Sequence, residues 1–257
     1  MPPQAPTVEL PKRLPLILQP ENRDESTAKD AKLINGYVEK NNETGEHWIF
    51  KRPGLVQIGV TQAGRGNGVY NWNGDIYSIW GNQLFKNTSN IGTVDSTGGV
   101  YRFSSSLGAT PRLQLGNGVK SYNWDGSALV QITGVNFPAY TTPSSTSVKG
   151  WCYLDGTTYA LATNAYVYGC AVLNDPTDWS DVLNLIGAQI EPDRGVFLSK
   201  QLVYVVVMKE WSTEIFYDAK HETASPLGPV QGAKINYGCA SADSVQEIDG
   251  VLLWLAT

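Results

Sequence analysis

The sequence contains the stretch Gly66-Asn67-Gly68-Val69-Tyr70-Asn71-Trp72-Asn73-Gly74 and, about 50 residues later, Gly116-Asn117-Gly118-Val119-Lys120-Ser121-Tyr122-Asn123-Trp124-Asp125-Gly126. In both copies a Tyr and a Trp stand two positions apart, which places them on one face of a predicted strand. The Asn-Gly or Asp-Gly that follows provides the positive φ of a two-residue hairpin turn. Each copy therefore predicts a strand, a tight turn and a second strand, at an interval typical of a propeller blade.

Weaker copies of this pattern follow at Tyr153-Leu154-Asp155-Gly156 and Glu247-Ile248-Asp249-Gly250, where an apolar residue precedes Asp-Gly. Further strands are predicted at residues 33–39, 47–51, 75–79, 83–86, 100–104, 112–115, 158–162, 166–170, 195–199, 201–208 and 214–217. Strands separated by roughly 8 to 15 residues are typical of sandwiches, barrels and propellers. We predict an all-β fold that is β-propeller-like with repeated hairpin blades, and a sandwich or barrel is the alternative.

The composition agrees with many short strands and turns. The chain has 257 residues and is 42% hydrophobic, which is enough to bury one substantial core. Its 8 Trp, 13 Tyr, 26 Gly and 14 Pro suit strands that are joined by tight turns. Only 17% of the residues are charged and the net charge is −5, which argues against binding nucleic acid by neutralising its phosphates. We expect no secretory signal and no membrane anchor, because no apolar run of about 18 residues occurs.

Two segments are predicted along the chain. Residues 1–32 form an extended N-terminal arm, because their frequent prolines prevent a helix, and a disordered tail is the alternative. The apolar side chains that favour an arm lying on another surface are Leu14, Leu16, Ile17 and Leu18. Residues 33–257 form the propeller-like domain. Because the sequence stops at Thr257 within a predicted strand, we expect the C-terminal part to be truncated or completed elsewhere.

No catalytic, cofactor-binding or metal site is predicted. The stretch Gly64-Arg65-Gly66-Asn67-Gly68 lacks the following helix and the Gly-Lys-Ser/Thr of a phosphate-binding loop, so it predicts a turn. His47 and His221 lack partners at the spacing of metal ligands. The cysteines are Cys152, Cys170 and Cys239. They form no CxxC pair, and we expect buried free thiols without a nucleophilic role.

Acidic and aromatic residues allow two further interpretations. The carboxylates that could form a glycosidase pair are Asp175, Asp178, Asp181, Glu191, Asp193, Glu210 and Glu214. However, Asp175-Pro176-Thr177-Asp178 is typical of a turn, and Glu210 and Glu214 are expected as edge charges beside an aromatic strand. The aromatic residues that could stack on a sugar are Tyr70, Trp72, Tyr122 and Trp124. Packing between blades explains them more economically.

Several segments resemble, in the same order, the tail nozzle or packaged-DNA stabilisation proteins of short-tailed bacteriophages. The similar segments are residues 33–39, 51–55, 178–180, 191–193, 198–203, 210–217, 225–226, 238–239 and 249–254. Among them are Lys51-Arg52-Pro53-Gly54-Leu55 and Glu210-Trp211-Ser212-Thr213-Glu214-Ile215-Phe216-Tyr217. Each segment is short, so their common order is the stronger signal, and together they cover most of the chain after residue 32.

The resemblance implies a structural component of a phage tail and not an enzyme, with no cofactor. It implies a homo-oligomeric ring, a hexamer, which lies below the portal or head-to-tail adaptor protein and retains packaged DNA and conducts it during ejection. The implied neighbours are tail fibre, spike or needle proteins, and DNA passes without specific binding. The implied location is the virion tail, after assembly in the host cytoplasm.

Two other function classes stay open. A carbohydrate-binding or polysaccharide-degrading β-propeller predicts glycan binding at Trp72 or Trp124. An unrelated β-sandwich binding module predicts a stable monomer.

Overall fold

The computed structural model describes residues 36–57, 59–138 and 147–257, which fall into two compact units divided between residues 58 and 59. The described part of the first unit contains an antiparallel hairpin of β1 (Gly36–Lys40) and β2 (His47–Lys51). In its turn the Asn41 side-chain oxygen accepts the amide N–H groups of Glu43 and Thr44. This hairpin confirms the strands predicted near 33–39 and at 47–51. The predicted arm at residues 1–32 lies outside the described residues.

The second unit contains four antiparallel sheets of four strands, each made of strands that are consecutive in the chain. The first sheet has β3 (Gly66–Trp72), β4 (Asp75–Trp80), β5 (Gln83–Lys86) and β6 (Ser89–Thr93). The second has β7 (Arg102–Ser105), β8 (Leu113–Gly116), β9 (Ser121–Trp124) and β10 (Leu129–Gln131). The third has β11 (Val148–Leu154), β12 (Thr157–Ala162), β13 (Tyr166–Gly169) and β14 (Leu185–Gly187). The fourth has β15 (Gly195–Gln201), β16 (Tyr204–Lys209), β17 (Thr213–Asp218) and β18 (Leu227–Pro229).

A short 3₁₀ helix (Ala242–Ser244) then leads to a two-stranded sheet of β19 (Gln246–Ile248) and β20 (Val251–Leu253). No α-helix occurs in the part of the chain that the structure describes. Four-stranded meanders repeated along a chain are the blades of a propeller. The predicted all-β, propeller-like fold is therefore confirmed.

The first strands of consecutive sheets lie side by side, with β3 beside β7, β7 beside β11 and β11 beside β15. This arrangement places the first strands around a common axis and the last strands at the periphery. The inner strands approach one another closely at Gly150, where an added Cβ would stand 2.6 Å from the backbone nitrogen of Leu198. Glycine is therefore the residue that allows β11 and β15 to pack at this distance.

Apolar side chains fill the spaces between consecutive sheets in separate clusters. In β16, Val205 and Val207 pack towards the third sheet, whereas Val206 and Met208 pack towards β20. Because side chains alternate between the faces of a strand, a strand buried on both faces requires a continuous apolar run. This explains why residues 204–208 are uniformly apolar or aromatic in sequence.

The two copies of the sequence repeat occupy different positions in their sheets. The first covers β3 and the β3–β4 turn, where Asn73 and Gly74 have φ of 52° and 83°, as a two-residue turn requires. The second covers β9 and the turn after it, so the interval is not one blade. Asp125 there begins a loop of residues 125–128, because its carboxylate accepts the amides of Ser127 and Ala128 at 2.8 and 2.7 Å. The predicted hairpins are confirmed, but the two-residue turn is wrong for the second copy.

The weaker copies are confirmed as tight turns. Asp155-Gly156 joins β11 to β12 and Asp249-Gly250 joins β19 to β20, and all four residues have positive φ. The strand predicted at 201–208 is instead two strands, because Gln201 ends β15 and a turn at Leu202-Val203 precedes β16. Leu202 has a φ of 53°, which is unusual for a leucine.

Candidate functional site

The most developed polar arrangement in the second unit surrounds Lys209, the last residue of β16. Its ammonium nitrogen lies 2.8 Å from Asp193 Oδ1 and 2.7 Å from Glu214 Oε1, and donates to the backbone oxygen of Glu191 at 2.9 Å. The Lys209 side chain is completely buried. An ammonium group has three donors, and all three have acceptors here. This closed arrangement leaves the amine no proton or lone pair to offer a substrate.

Asp193 binds the turn between β16 and β17 as well as Lys209. Its Oδ2 accepts the amide N–H groups of Trp211 and Ser212 at 2.8 and 3.0 Å, and the Ser212 hydroxyl donates to the same carboxylate. Burial alone would raise the pKa of Asp193, but the hydrogen bonds from Lys209, Trp211 and Ser212 together lower it below the ordinary value. Asp193 is therefore a charged anchor of the turn and not a proton donor near neutral pH.

Of the possible glycosidase carboxylates, Glu191 and Asp193 line one depression but are paired with Lys234 and Lys209, whereas Glu210 and Glu214 do not share a cleft. Glu214 is buried, where its Oε1 contacts Lys209 and accepts the amide N–H of Ile190 at 3.0 Å. Glu210 instead lines a separate depression beside Arg194. The expectation that Glu214 is an exposed edge charge is wrong, because Lys209 compensates its charge inside the fold.

The remaining acidic residues of that group stabilise turns or ion pairs. Asp175 accepts the Thr177 amide at 3.1 Å, Asp178 the Ser180 amide at 2.9 Å and Asp181 the Leu183 amide at 2.8 Å. These side-chain-to-backbone bonds confirm the turn predicted at residues 175–178. Glu191 forms an ion pair with Lys234.

The aromatic residues of the repeat form core contacts. Trp72, Tyr122 and Trp124 are buried in the cluster between the first and second sheets. The half-buried ring of Tyr70 stacks on Phe103, with ring centroids 5.4 Å apart and planes within 6°. The interpretation as packing between blades is confirmed, and Trp72 and Trp124 present no face to a glycan.

The cysteines and His221 contribute to packing. Cys152, Cys170 and Cys239 are buried free thiols, as expected. Burial raises the pKa of Cys170 to about 11 and that of Cys152 further still, so neither is a thiolate near neutral pH. His221 Nδ1 lies 3.2 Å from the backbone oxygen of Ser225. The backbone of His47 lies in β2.

No cofactor loop or metal cluster is found among residues 36–57, 59–138 and 147–257. Of the stretch 64–68, Gly64 has a φ of 92°, whereas residues 66–68 already belong to β3, so the turn is shorter than predicted and no helix follows. Within the described ranges, no group of three His, Cys, Asp or Glu side chains could hold a metal ion. In those same ranges, no helix has the length and hydropathy needed to cross a bilayer.

Exposed apolar side chains form one face of the β19–β20 sheet. Ile248 pairs with Val251 in the ladder, and Leu253 follows on the same face of β20. These three residues and Leu255 are each more than half exposed, whereas Leu252 points to the opposite face and is buried. We call Ile248, Val251, Leu253 and Leu255 the β20 patch. A contiguous exposed apolar patch is typical of a surface that binds a protein partner.

Sequence reasoning missed two residues. Lys209 follows four apolar residues of β16 and so resembles an ordinary charged strand end. Trp211 was seen only as part of an aromatic strand, yet it is 68% exposed at the tip of the β16–β17 turn. It lines a cavity of about 250 Å³ together with Lys234 and Asn236. For Lys209 a signal was available in the sequence. Lys209 and Glu214 have opposite charges and stand on either side of a tight turn, which indicates an ion pair across that turn.

A family model described as bacteriophage P22 Gp10, beta-propeller, matches residues 30–257. No curated protein matches the sequence. Among solved structures, the chain is similar to the computationally designed Ika8 protein at 9% identity, covering 84% of this chain and 80% of that one, with a TM-score of 0.39.

A second similar structure is a catalytically inactive virginiamycin B lyase from Staphylococcus aureus, in complex with quinupristin. It is 9% identical, the match covers 82% of this chain and 69% of that one, and the TM-score is 0.45. Likenesses at this level carry no argument about function. The family match does carry an argument. It covers residues of both described units, and the four-stranded meander sheets agree with the β-propeller that it describes. The chain therefore belongs to the bacteriophage P22 Gp10 β-propeller family, a family of phage structural proteins.

Proposed function

We propose that the chain is a subunit of a ring-shaped tail nozzle that lies below the portal or head-to-tail adaptor and conducts DNA during ejection. The observation that carries the proposal is the family match over residues 30–257. Phage structural proteins are virion components, and the tail is the location that the sequence resemblance implies. In this proposal the subunits form a hexamer in the host cytoplasm and contact fibre, spike or needle proteins.

The propeller supports a mechanical role. Every described strand from β3 to β20 is hydrogen-bonded to a neighbouring strand, and apolar clusters lie between consecutive sheets. Such a body resists deformation, as the wall of a conduit must when DNA passes. The net charge of −5 motivates a further part of the proposal, a mildly acidic channel wall that does not bind the phosphates of passing DNA. A channel lined with Arg and Lys in an assembled ring would contradict it.

The β20 patch is the surface that we assign to the contact between subunits. Its four side chains leave water only if a partner covers them, and burial of apolar surface favours association by roughly 25 cal/mol per Å². The N-terminal arm at residues 1–32 is a second proposed contact. Deletion of residues 1–20 is then expected to weaken association with the ring or portal.

The experiment is to measure the mass of the purified chain by light scattering, and to examine particles of the corresponding phage by electron microscopy. A ring-sized species, or matching density below the portal, is expected. Leu253→Lys in the β20 patch should reduce the ring fraction, whereas Leu107→Lys, which changes a similarly exposed leucine elsewhere, should not. A monomer that is absent from virions would contradict the nozzle assignment.

One observation favours a second candidate function, carbohydrate binding on a phage particle. The backbone N–H of Trp211 donates to Asp193, and its exposed side chain lines a cavity together with Glu191, Lys234 and Asn236. An exposed indole ring beside polar donors is a common sugar-binding arrangement. Glycan-array binding that Trp211→Ala abolishes would support this function, and absence of binding by the wild-type chain would remove it.

A further inference from the structure

A basic residue stands at the start of the first strand in each of the four-stranded sheets. Arg65 directly precedes β3, Arg102 is the first residue of β7, Lys149 is the second residue of β11, and Arg194 directly precedes β15. Because these first strands lie side by side around the axis, their starting ends meet at the same end of the propeller. The fold therefore brings together cations that are far apart in sequence.

Three of these cations line one concave surface. Arg102, Lys149 and Arg194 surround a depression of about 400 Å³, whose other lining includes Gly116 and Glu210. This volume lies in the range of sites for small ligands. Because the lining includes the starts of the inner strands β7, β11 and β15 and the end of β8, the depression lies at the end of the propeller where the inner strands begin. We call it the axial mouth.

The charges of the axial mouth are only partly compensated. Arg102 forms an ion pair with Asp243 at 2.5 Å. Lys149 and Arg194 form no ion pair with any residue that the structure describes. Glu210 is the one carboxylate in the lining itself. Cations therefore outnumber carboxylates here, although the chain as a whole carries a net charge of −5.

The rim of the axial mouth is held in place before any ligand binds. The Asn117 side chain donates to the Asp95 carboxylate at 2.8 Å and accepts the amides of Val119 and Lys120 at 3.0 and 2.9 Å. The backbone N–H of Gly99 donates to Asn117 O at 2.9 Å. A rim fixed in this way loses little conformational entropy when a ligand binds, which favours affinity.

We propose that the axial mouth binds a phosphate-class oxyanion, either free phosphate or the terminal phosphate of a nucleotide. The three cations outnumber the two carboxylates beside them, Glu210 and Asp243, so the axial mouth carries a net positive charge. A guanidinium group binds phosphate oxygens through two parallel N–H donors. This site is independent of the proposed nozzle, because it requires no second subunit.

The test is isothermal titration calorimetry with inorganic phosphate at constant ionic strength. The wild-type chain should bind saturably, and Lys149→Met combined with Arg194→Met should weaken binding at least tenfold. The matched control combines Lys200→Met and Lys220→Met, which remove two exposed cations outside the axial mouth and give the same net charge. Equal affinity in the two double variants, or no saturable binding by the wild type, would overturn the proposal.

Two further measurements separate loss of the site from loss of the fold, and free phosphate from a nucleotide. Circular dichroism should give the same β spectrum for both double variants, and phosphate should raise the thermal midpoint only of proteins that retain Lys149 and Arg194. Titration with thymidine 5′-monophosphate distinguishes the sources. If thymidine 5′-monophosphate binds more tightly than inorganic phosphate, the ligand is a nucleotide terminus, and if the two bind equally it is free phosphate. A thermal midpoint that phosphate raises equally in all variants would contradict the site.

Discussion

The ammonium nitrogen of Lys209 lies 2.8 Å from a carboxylate oxygen of Asp193, and both side chains are buried. Replacing Lys209 by Met would leave Asp193 and Glu214 as buried carboxylates without a cation. We expect the free energy of unfolding to fall by about 3–5 kcal/mol, the usual cost of removing one partner of a buried ion pair. Unfolding in urea measures this change in the free energy of unfolding. Lys200→Met, at an exposed position of β15, should change stability by less than about 0.5 kcal/mol.

The Asp193 carboxylate is expected to make the stability of the fold depend on pH. The folded-state pKa of Asp193 is lowered, so its charged form stabilises the native state. This contribution is complete above the unfolded value of about 4 and is lost as pH falls through the folded pKa. The urea midpoint should therefore drop below about pH 4 in the wild-type chain. Asp193→Asn should be less stable at pH 7 and show a shallower acid decline. Other aspartates whose pKa is lowered, among them Asp75, Asp95, Asp125 and Asp178, contribute to the decline that remains.

The close approach of the inner strands predicts a position that does not accept a methyl group. An alanine at Gly150 would place its Cβ 2.6 Å from the backbone nitrogen of Leu198, so β11 and β15 would have to separate. Gly150→Ala should lower stability by about 1–3 kcal/mol. Gly99→Ala is the matched control, because its nearest neighbour would be Asn117 O at an ordinary 3.7 Å. Equal thermal midpoints for the two variants would show that the inner strands can move apart freely.

The turn between β15 and β16 predicts a substitution that stabilises the chain. Leu202 has a φ of 53° and is 68% exposed, so it has backbone strain with little packing to offset it. Asparagine tolerates this conformation better, and Leu202→Asn should raise the free energy of unfolding by about 0.5–1 kcal/mol. Val203→Asn changes the adjacent residue, which has no positive φ, and should give no such gain. A loss of stability in the first variant would contradict the argument from strain.

Strands in the middle of a sheet were easier to predict from sequence than the outermost ones. Residues 83–86 and 158–162 were predicted nearly as observed, because buried strands require apolar runs between turn residues. The outermost strands β6, β14 and β18 were missed. Such strands pair on one side only and are short, so few of their side chains must be apolar. In β18 a glycine and a proline also resemble a turn.

The buried ion pairs of Lys209 could not be predicted from sequence, because the residues that form them belong to different elements. Asp193 precedes β15, Lys209 ends β16 and Glu214 lies in β17, and only the fold brings their side chains together. From sequence, Glu214 resembled an edge charge, since strand periodicity does not tell which charge has a buried partner. The buried aromatic residues of the repeat were predicted correctly, because a Tyr and a Trp two positions apart already define one strand face.

Pairing only between strands that are consecutive in the chain has a consequence for biogenesis. Each four-stranded sheet can form as soon as its own last strand has left the ribosome, without waiting for distant residues. Pairing over short sequence separations also costs little loop-closure entropy, which speeds folding. The protein can therefore accumulate finished sheets one after another during synthesis, and aggregation-prone free strands are exposed only briefly.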